Sequence, residues 1–179
     1  MKVGIAGIGG IGSNVARHLA QANLPFLRIV DFDRVEASNL NRQFYSLDQT
    51  GRLKTHCLKQ NLLNIFPTMV IEAVSWRMGP GDASRLFADC HIVVEGFDDA
   101  ASKKMLIEEM AGSGKQVVCA SGIAGENMDV GVKRFGNCKI VGDFVSDMGD
   151  LALFAPKIAL VAALMADIIL KQVKESENG

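Results

Sequence analysis

Short apolar runs alternate with stretches whose apolar residues recur at helical spacing, and this alternation runs through most of the chain. Val3 to Ala6 is an apolar run leading into the glycine run Gly7-Ile8-Gly9-Gly10-Ile11-Gly12. The next stretch carries Val15, Leu19 and Ala22 on one face, predicting a helix that ends before Pro25. Leu27 to Val30 predicts a second strand that finishes at Asp31. After a polar connection, Leu58, Leu62 and Ile65 mark a helix stopping at Pro67. Met69 to Val74 and Ile92 to Val94 read as strands, Ala100 to Ala111 as a helix, and Gln116 to Ala120 as another strand. Beyond Ser121 the period changes. Asp129 to Phe135 and Cys138 to Val141 flank Gly136-Asn137, a hairpin signature. A final helix is expected from near Pro156 to about Val173, with a polar tail from Lys174 that frays. Ile158, Val161, Ala162, Met165, Ile168 and Ile169 make that helix apolar over a wide arc. The arc must be deeply packed or shared with a second copy, and the expectation is a homodimer.

The pattern predicts an α/β fold: a Rossmann-like, mostly parallel sheet with flanking helices, an antiparallel C-terminal hairpin and a long last helix. The 179 residues fit a single domain, 1–179, with no internal repeat or linker. Scarce Trp and Tyr suit aliphatic strands buried on both faces. A net charge of −1 does not suggest a polyanion-binding surface, so no nucleic-acid partner is expected. The sequence reads from an apolar strand at once, so no leader is expected, and the longest apolar stretch, around Ile158 to Leu170, is interrupted by Asp167. No membrane association is expected, and the location is read as cytoplasmic. Cys57, Cys90, Cys119 and Cys138 are spread singly, which argues against disulfides and against a tetrahedral zinc site.

Candidate chemistry begins at the glycine run. Gly7-x-Gly-x-x-Gly12, after a strand and opening a helix, sets backbone N–H groups and a helix N-terminus beside an anion. Asp31 closes the second strand, where a carboxylate accepts ribose hydroxyls. The pair predicts a nucleotide, without deciding between a dinucleotide and ATP. A bland alternative is a turn chosen only for tight strand–helix packing.

The following residues read Asp31-Phe32-Asp33-Arg34-Val35-Glu36-Ala37-Ser38-Asn39-Leu40-Asn41-Arg42-Gln43. A glycine loop with doubled Gly9-Gly10, then Asp-x-Asp-x-Val, then Ser-Asn-Leu-x-Arg-Gln, resembles the ThiF/MoeB/HesA family, relatives of the ubiquitin-activating enzymes. The resemblance extends over nearly the whole chain. It implies an ATP-dependent adenylyltransferase with Mg²⁺ as cofactor and no reactive base. Its substrate would be the C-terminal glycine carboxylate of a small ubiquitin-like sulfur carrier ending in Gly-Gly. The compact form, with Gly142 to Asp147 before Ala155-Pro156, resembles the short ThiF subgroup of thiamine biosynthesis.

By that resemblance the nucleotide site comprises Gly7, Gly9, Gly10, Gly12, Asp31, Ser38, Asn39, Arg42, Lys54, Asp98 and Asp99, with Asp98 linked to the metal. Physical chemistry agrees. A triphosphate carries about four negative charges, and Arg42 offers a planar fork, Lys54 a point charge and Asp98 a carboxylate for Mg²⁺. Each has an ordinary alternative: solvated cations for Arg42 and Lys54, and capping of the helix near Ala100 for Asp98 or Asp99. His18, His56 and His91 read as structural or surface residues.

Departures from the family pattern are plain. The zinc cysteines are absent, the stretch from Gly125 to Ala155 is too short to hold both them and a crossover segment with a reactive cysteine, and Cys138 falls in the hairpin, a position where a thiol can be exposed. Only Met1 and Lys2 stand where relatives place an arginine-bearing helix, and Asp99 replaces a usual asparagine. The rivals are activation of the small subunit of molybdopterin synthase, a tRNA-modifying relative, an NAD-dependent oxidoreductase, and a scaffold without turnover.

Overall fold

The computed structural model describes residues 1–177, excepting the Glu177 side chain. The elements in chain order are β1 (Val3–Ala6), α1 (Gly10–Gln21), β2 (Phe26–Asp31), α2 (Lys54–Leu63), β3 (Val70–Ser75), α3 (Asp82–Leu86) and β4 (Ile92–Glu95). They are followed by α4 (Ala100–Met110), β5 (Gln116–Ala120), β6 (Gly131–Phe135), β7 (Cys138–Gly142) and α5 (Ala155–Glu177). One seven-stranded sheet runs in the order β3-β2-β1-β4-β5-β7-β6. Every neighbouring pair is parallel except β6–β7, which is the antiparallel hairpin. The α/β expectation holds, with the chain turning back on itself between β1 and β4.

Side chains alternate along the strands, so β1 sends Val3 and Ile5 to one face and Ala6 to the other. The first face, with Leu27, Ile29, Ile92, Val94 and Val118, packs under α1, α2 and α5. The second, with Val30, Val93 and Val117, packs under α3 and α4 through Phe87, Leu106 and Met110. Gly4 makes this second layer possible. A Cβ there would lie 2.4 Å from the ring of Phe87, a side chain with no exposure.

Several expectations change. Of the apolar arc of α5, Ile158, Val161, Ala162, Met165 and Ile169 are buried against α1 and the sheet, and Ile168 is half-buried. The argument for a homodimer through that arc therefore lapses. Residues 174–177, expected to fray, continue α5 as helix, and the rest of the tail, 178–179, lies outside the described residues. Cys138 is 2% exposed, because β7 lies inside the sheet between β5 and β6, and burial pushes its thiol pKa up. The helix α3 was not anticipated; its five residues are too few for a periodic signal. Among the described residues, no helix is long and apolar enough to cross a membrane.

Candidate nucleotide site

The connection reverses between β1 and β4, and a crevice opens beyond the carboxyl ends of the strands there, where open α/β sheets hold ligands. A cavity of about 280 Å³ occupies it. Gly7, Gly9, Gly10, Asp31, Arg42, Lys54, Asp98 and Asp99 all line its wall, together with Asp33 and Gln43. Gly12 lies below the wall and Ser38 and Asn39 lie on the adjoining turn, so the cavity lining does not include them.

The glycines have separate reasons. Gly7 takes φ +80°, and a Cβ on it would lie 2.8 Å from the backbone of Gly96. A Cβ on Gly12 would lie 2.0 Å from the Gly7 carbonyl oxygen, so the loop and the first turn of α1 close only without one. No side chain caps α1 and no acidic residue lies in its first turn. Its leading N–H groups are left to an anion.

Asp31 joins this loop to the end of β2. Ile8 N–H donates to Oδ2 at 2.8 Å and Asp33 N–H to Oδ1 at 2.7 Å. Burial pushes its carboxyl pKa up, and the two N–H donors pull back without cancelling the rise. Each oxygen keeps acceptor capacity for a hydroxyl.

The second aspartate of Asp-x-Asp has a task that sequence reasoning missed. The Asp33 carbonyl accepts the backbone N–H of Lys54 at 2.9 Å, and its carboxylate accepts Lys54 Nζ at 3.0 Å. Lys54 opens α2 and is 5% exposed, so its ammonium reaches the cavity as a held charge rather than a solvated one. Arg42 is half-buried, and its Nη1 donates to the Ser38 carbonyl and to Asn41 Oδ1 at 3.0 and 2.9 Å. Neither of these partners is charged, and among the described residues Arg42 makes no ion pair, so its positive charge is uncompensated at the cavity wall. The Arg42 carbonyl accepts Asn14 Nδ2 at 2.9 Å, Phe44 N–H donates to Ser13 Oγ at 3.0 Å, and Tyr45 Oη donates to the Ile8 carbonyl at 2.8 Å. These bonds clamp the Arg42 segment over the glycine loop. Burial holds the Tyr45 phenol well above its ordinary pKa, so it stays a donor.

The structure separates the two neighbouring aspartates after β4. Asp99 caps α4, accepting Ser102 N–H at 2.8 Å, which lowers its pKa. Asp98 is exposed on the loop three residues beyond the strand end, not at its last position, and has no hydrogen-bond partner among the described residues. Mg²⁺ takes one or two carboxylates plus phosphate oxygens rather than an all-protein cage. Asp98 fits that demand, and among the described residues no group of three or more His, Cys, Asp or Glu side chains could hold a metal. Beneath the loop, Glu95 has no exposure and its Oε2 meets Lys103 Nζ at 2.5 Å. Burial still raises its pKa against that pairing.

The cavity has two ends. Past Asp31, Phe32, Trp76, Arg77 and Met78 form an aromatic and cationic end, with the Arg77 guanidinium 3.8 Å from the Phe32 ring centroid. Opposite lie Ile123, Met148, Leu153 and Ile158, an apolar end. Trp76 is the chain's single tryptophan and is 47% exposed in this wall. Titration with ATP should therefore change its emission saturably, by stacking on or drying the indole. Emission unaltered at saturating nucleotide, with binding confirmed by calorimetry, would place the nucleotide away from this wall.

Comparison with known proteins follows the same lines. Adenylyltransferase and sulfurtransferase UBA4 of Candida glabrata is 36% identical over 126 residues, 70% of this chain and 29% of that protein. Probable adenylyltransferase/sulfurtransferase MoeZ of Mycobacterium tuberculosis is 30% identical over 121 residues, 67% of this chain and 31% of that protein. The aligned region thus spans less than a third of these relatives. In three dimensions the chain is similar to E. coli tRNA N6-threonylcarbamoyladenosine dehydratase, TcdA, in its AMP complex, with a TM-score of 0.90 at 18% identity, over 99% of this chain and 88% of that one. The ThiF family matches residues 1–178, and the chain belongs to that family.

Proposed function

We propose that the chain is an adenylyltransferase that joins AMP to the C-terminal glycine carboxylate of a small ubiquitin-like sulfur carrier ending in Gly-Gly. The observation carrying this reading is the gathering of Asp31, Arg42, Lys54 and Asp98 around one cavity that begins at the open N-terminus of α1. In the reaction a carrier carboxylate oxygen attacks the α-phosphorus of ATP. The bond to the pyrophosphate oxygen breaks, leaving an acyl-adenylate and pyrophosphate. A terminal carboxylate is ionised at neutral pH, so no general base is needed. Asp31 orients the ribose, while Arg42 and Lys54 face charge that accumulates on departing phosphate oxygens. Mg²⁺ held by Asp98 and the phosphates would neutralise part of that charge. The apolar end at Ile123, Met148, Leu153 and Ile158 offers an extended tail a dry approach.

Thiamine biosynthesis is the setting we propose, on the compact segment Gly142 to Asp147 before α5. The relatives named for adenylyl and sulfur transfer support a carrier substrate. ATP–pyrophosphate exchange is the test, run with a thiamine-type sulfur carrier, a molybdopterin-type carrier and threonylcarbamoyl-modified tRNA in turn. Exchange dependent on the thiamine-type carrier is expected. Exchange with another substrate alone would move the assignment within the family, and NADH binding without Mg·ATP binding would end it.

A further inference from the structure

At the far end of the sheet from the nucleotide cavity, where β4, β5 and β7 begin, lies a second concavity of about 560 Å³. Its wall includes His91, Lys115, Arg134 and Lys139, and among the described residues no carboxylate lines it. Acidic and basic residues are nearly balanced over the chain, at 20 Asp+Glu against 19 Lys+Arg, so a wall of one sign is a local arrangement.

Within the hairpin, Arg134 stands directly opposite Lys139, one step inside the Phe135–Cys138 pair that closes the turn. Side chains so opposed share a face with Cβ atoms about 4.5–5.5 Å apart, and like charges there are destabilising. No ion pair among the described residues includes Lys115, Arg134 or Lys139. The fold itself gains nothing from this opposition.

The hydrogen bonds of Lys115, His91 and Arg134 leave donors over. Lys115 Nζ is pinned by the Ala88 and Cys90 carbonyls at 2.7 and 2.8 Å, which uses two of its three protons. His91 Nδ1 accepts Lys2 N–H at 3.0 Å, so the neutral ring carries its own N–H on Nε2. Asn137 Nδ2 donates to the Met110 and Lys115 carbonyls at 2.9 and 2.8 Å, fixing the turn against the end of α4 and the connection to β5. Arg134 Nε donates to the Gly136 carbonyl, leaving the outer guanidinium N–H groups available.

We infer that this concavity is a binding site for a phosphoryl oxyanion, held by Arg134 and Lys139 together with Lys115 and His91. A guanidinium and two ammonium groups match a tetrahedral oxyanion, and the bound charge removes the like-charge opposition across the hairpin.

The test titrates inorganic phosphate into the ¹⁵N-labelled full chain at constant ionic strength. Saturable shifts of the Lys115, Asn137 and Cys138 amides are expected, weakened at least about tenfold in an Arg134→Gln/Lys139→Gln variant. Lys139→Gln alone should raise Tm in phosphate-free buffer, by relieving the opposition, and reduce the increase in Tm that phosphate gives the parent protein. Shifts confined to the glycine loop, no shifts, or shifts unchanged in the double variant would overturn the site. A second arm uses a short single-stranded oligoribonucleotide. Binding at least about tenfold tighter than phosphate, with a steep salt dependence, identifies an RNA backbone as the source; equal or weaker binding identifies a small phosphate ester.

Discussion

Replacing Asp98 by asparagine should leave a folded protein whose carrier-dependent ATP–pyrophosphate exchange has fallen at least about a hundredfold, the scale of one strong electrostatic contact in a transition state. The structure removes the main objection to reading such a loss. Capping of α4 falls to Asp99, whose carboxylate receives Ser102 N–H, so Asp98 carries no share of helix stability through that bond. Its side chain is exposed and unpartnered among the described residues, and the amide keeps its shape. Only the charge changes. Nucleotide affinity measured by Trp76 emission should change less than turnover, because Asp31 and the glycine loop still hold the ribose and phosphates. Near-normal exchange in a variant with unchanged Tm would remove Asp98 from the metal role.

Lys157→Met should cost roughly 3–5 kcal/mol of stability, the range for leaving one partner of a buried ion pair uncompensated. At about 2–4 °C per kcal/mol for a chain of this size, Tm should fall by roughly 10 °C. Lys157 has no exposure; its Nζ lies 2.6 Å from both Asp143 Oδ2 and the Ala124 carbonyl. Asp143 Oδ1 accepts Val145 and Ser146 N–H, both at 2.9 Å, so one carboxylate ties α5 to the segment after β7. Burial acts to raise the Asp143 pKa, but Lys157 and these donors prevail and hold it well below the usual carboxylate range. The sign follows. A depressed folded pKa gives stability that is present above the ordinary carboxylate pKa of about 4 and is lost as pH falls from there toward the folded value. In the variant the unpaired carboxyl takes up its proton readily, so the Tm gap between the two proteins should narrow below about pH 4. A gap independent of pH would show that the loss comes from packing rather than charge. Adding Asp143→Asn, which keeps an acceptor for the two N–H groups, should recover part of the loss at neutral pH.

Strand–loop–helix–strand order was legible because its signals are local. The apolar run at Val3–Ala6, the glycine spacing and the acid at Asp31 each carry their meaning within a few residues. Arg42, Lys54 and Asp98 became legible through the family string, and the fold brings them to one cavity. Pairs such as Glu95 with Lys103 and Asp143 with Lys157 were not, because a charged residue's burial depends on what a distant element lays over it. The same reason hid Asp33, whose role appears only when α2 presents Lys54 beside β2's end. The burial of Cys138 is not legible from a hairpin signature, which leaves open which strand is the edge; β7 is the hairpin's inner strand, and β6 takes the edge.

The packing of α1 against α5 has a consequence for how the protein is made. Ile11, Val15 and Leu19 emerge from the ribosome well before Ile158, Val161 and Met165, in the helix that covers them. At about 5–20 residues per second that interval is on the order of ten seconds. β4, the inner neighbour of β1, also arrives late. Through this interval the nascent chain carries an uncovered apolar helix next to an unpaired strand edge, the surface that invites aggregation and holdase binding.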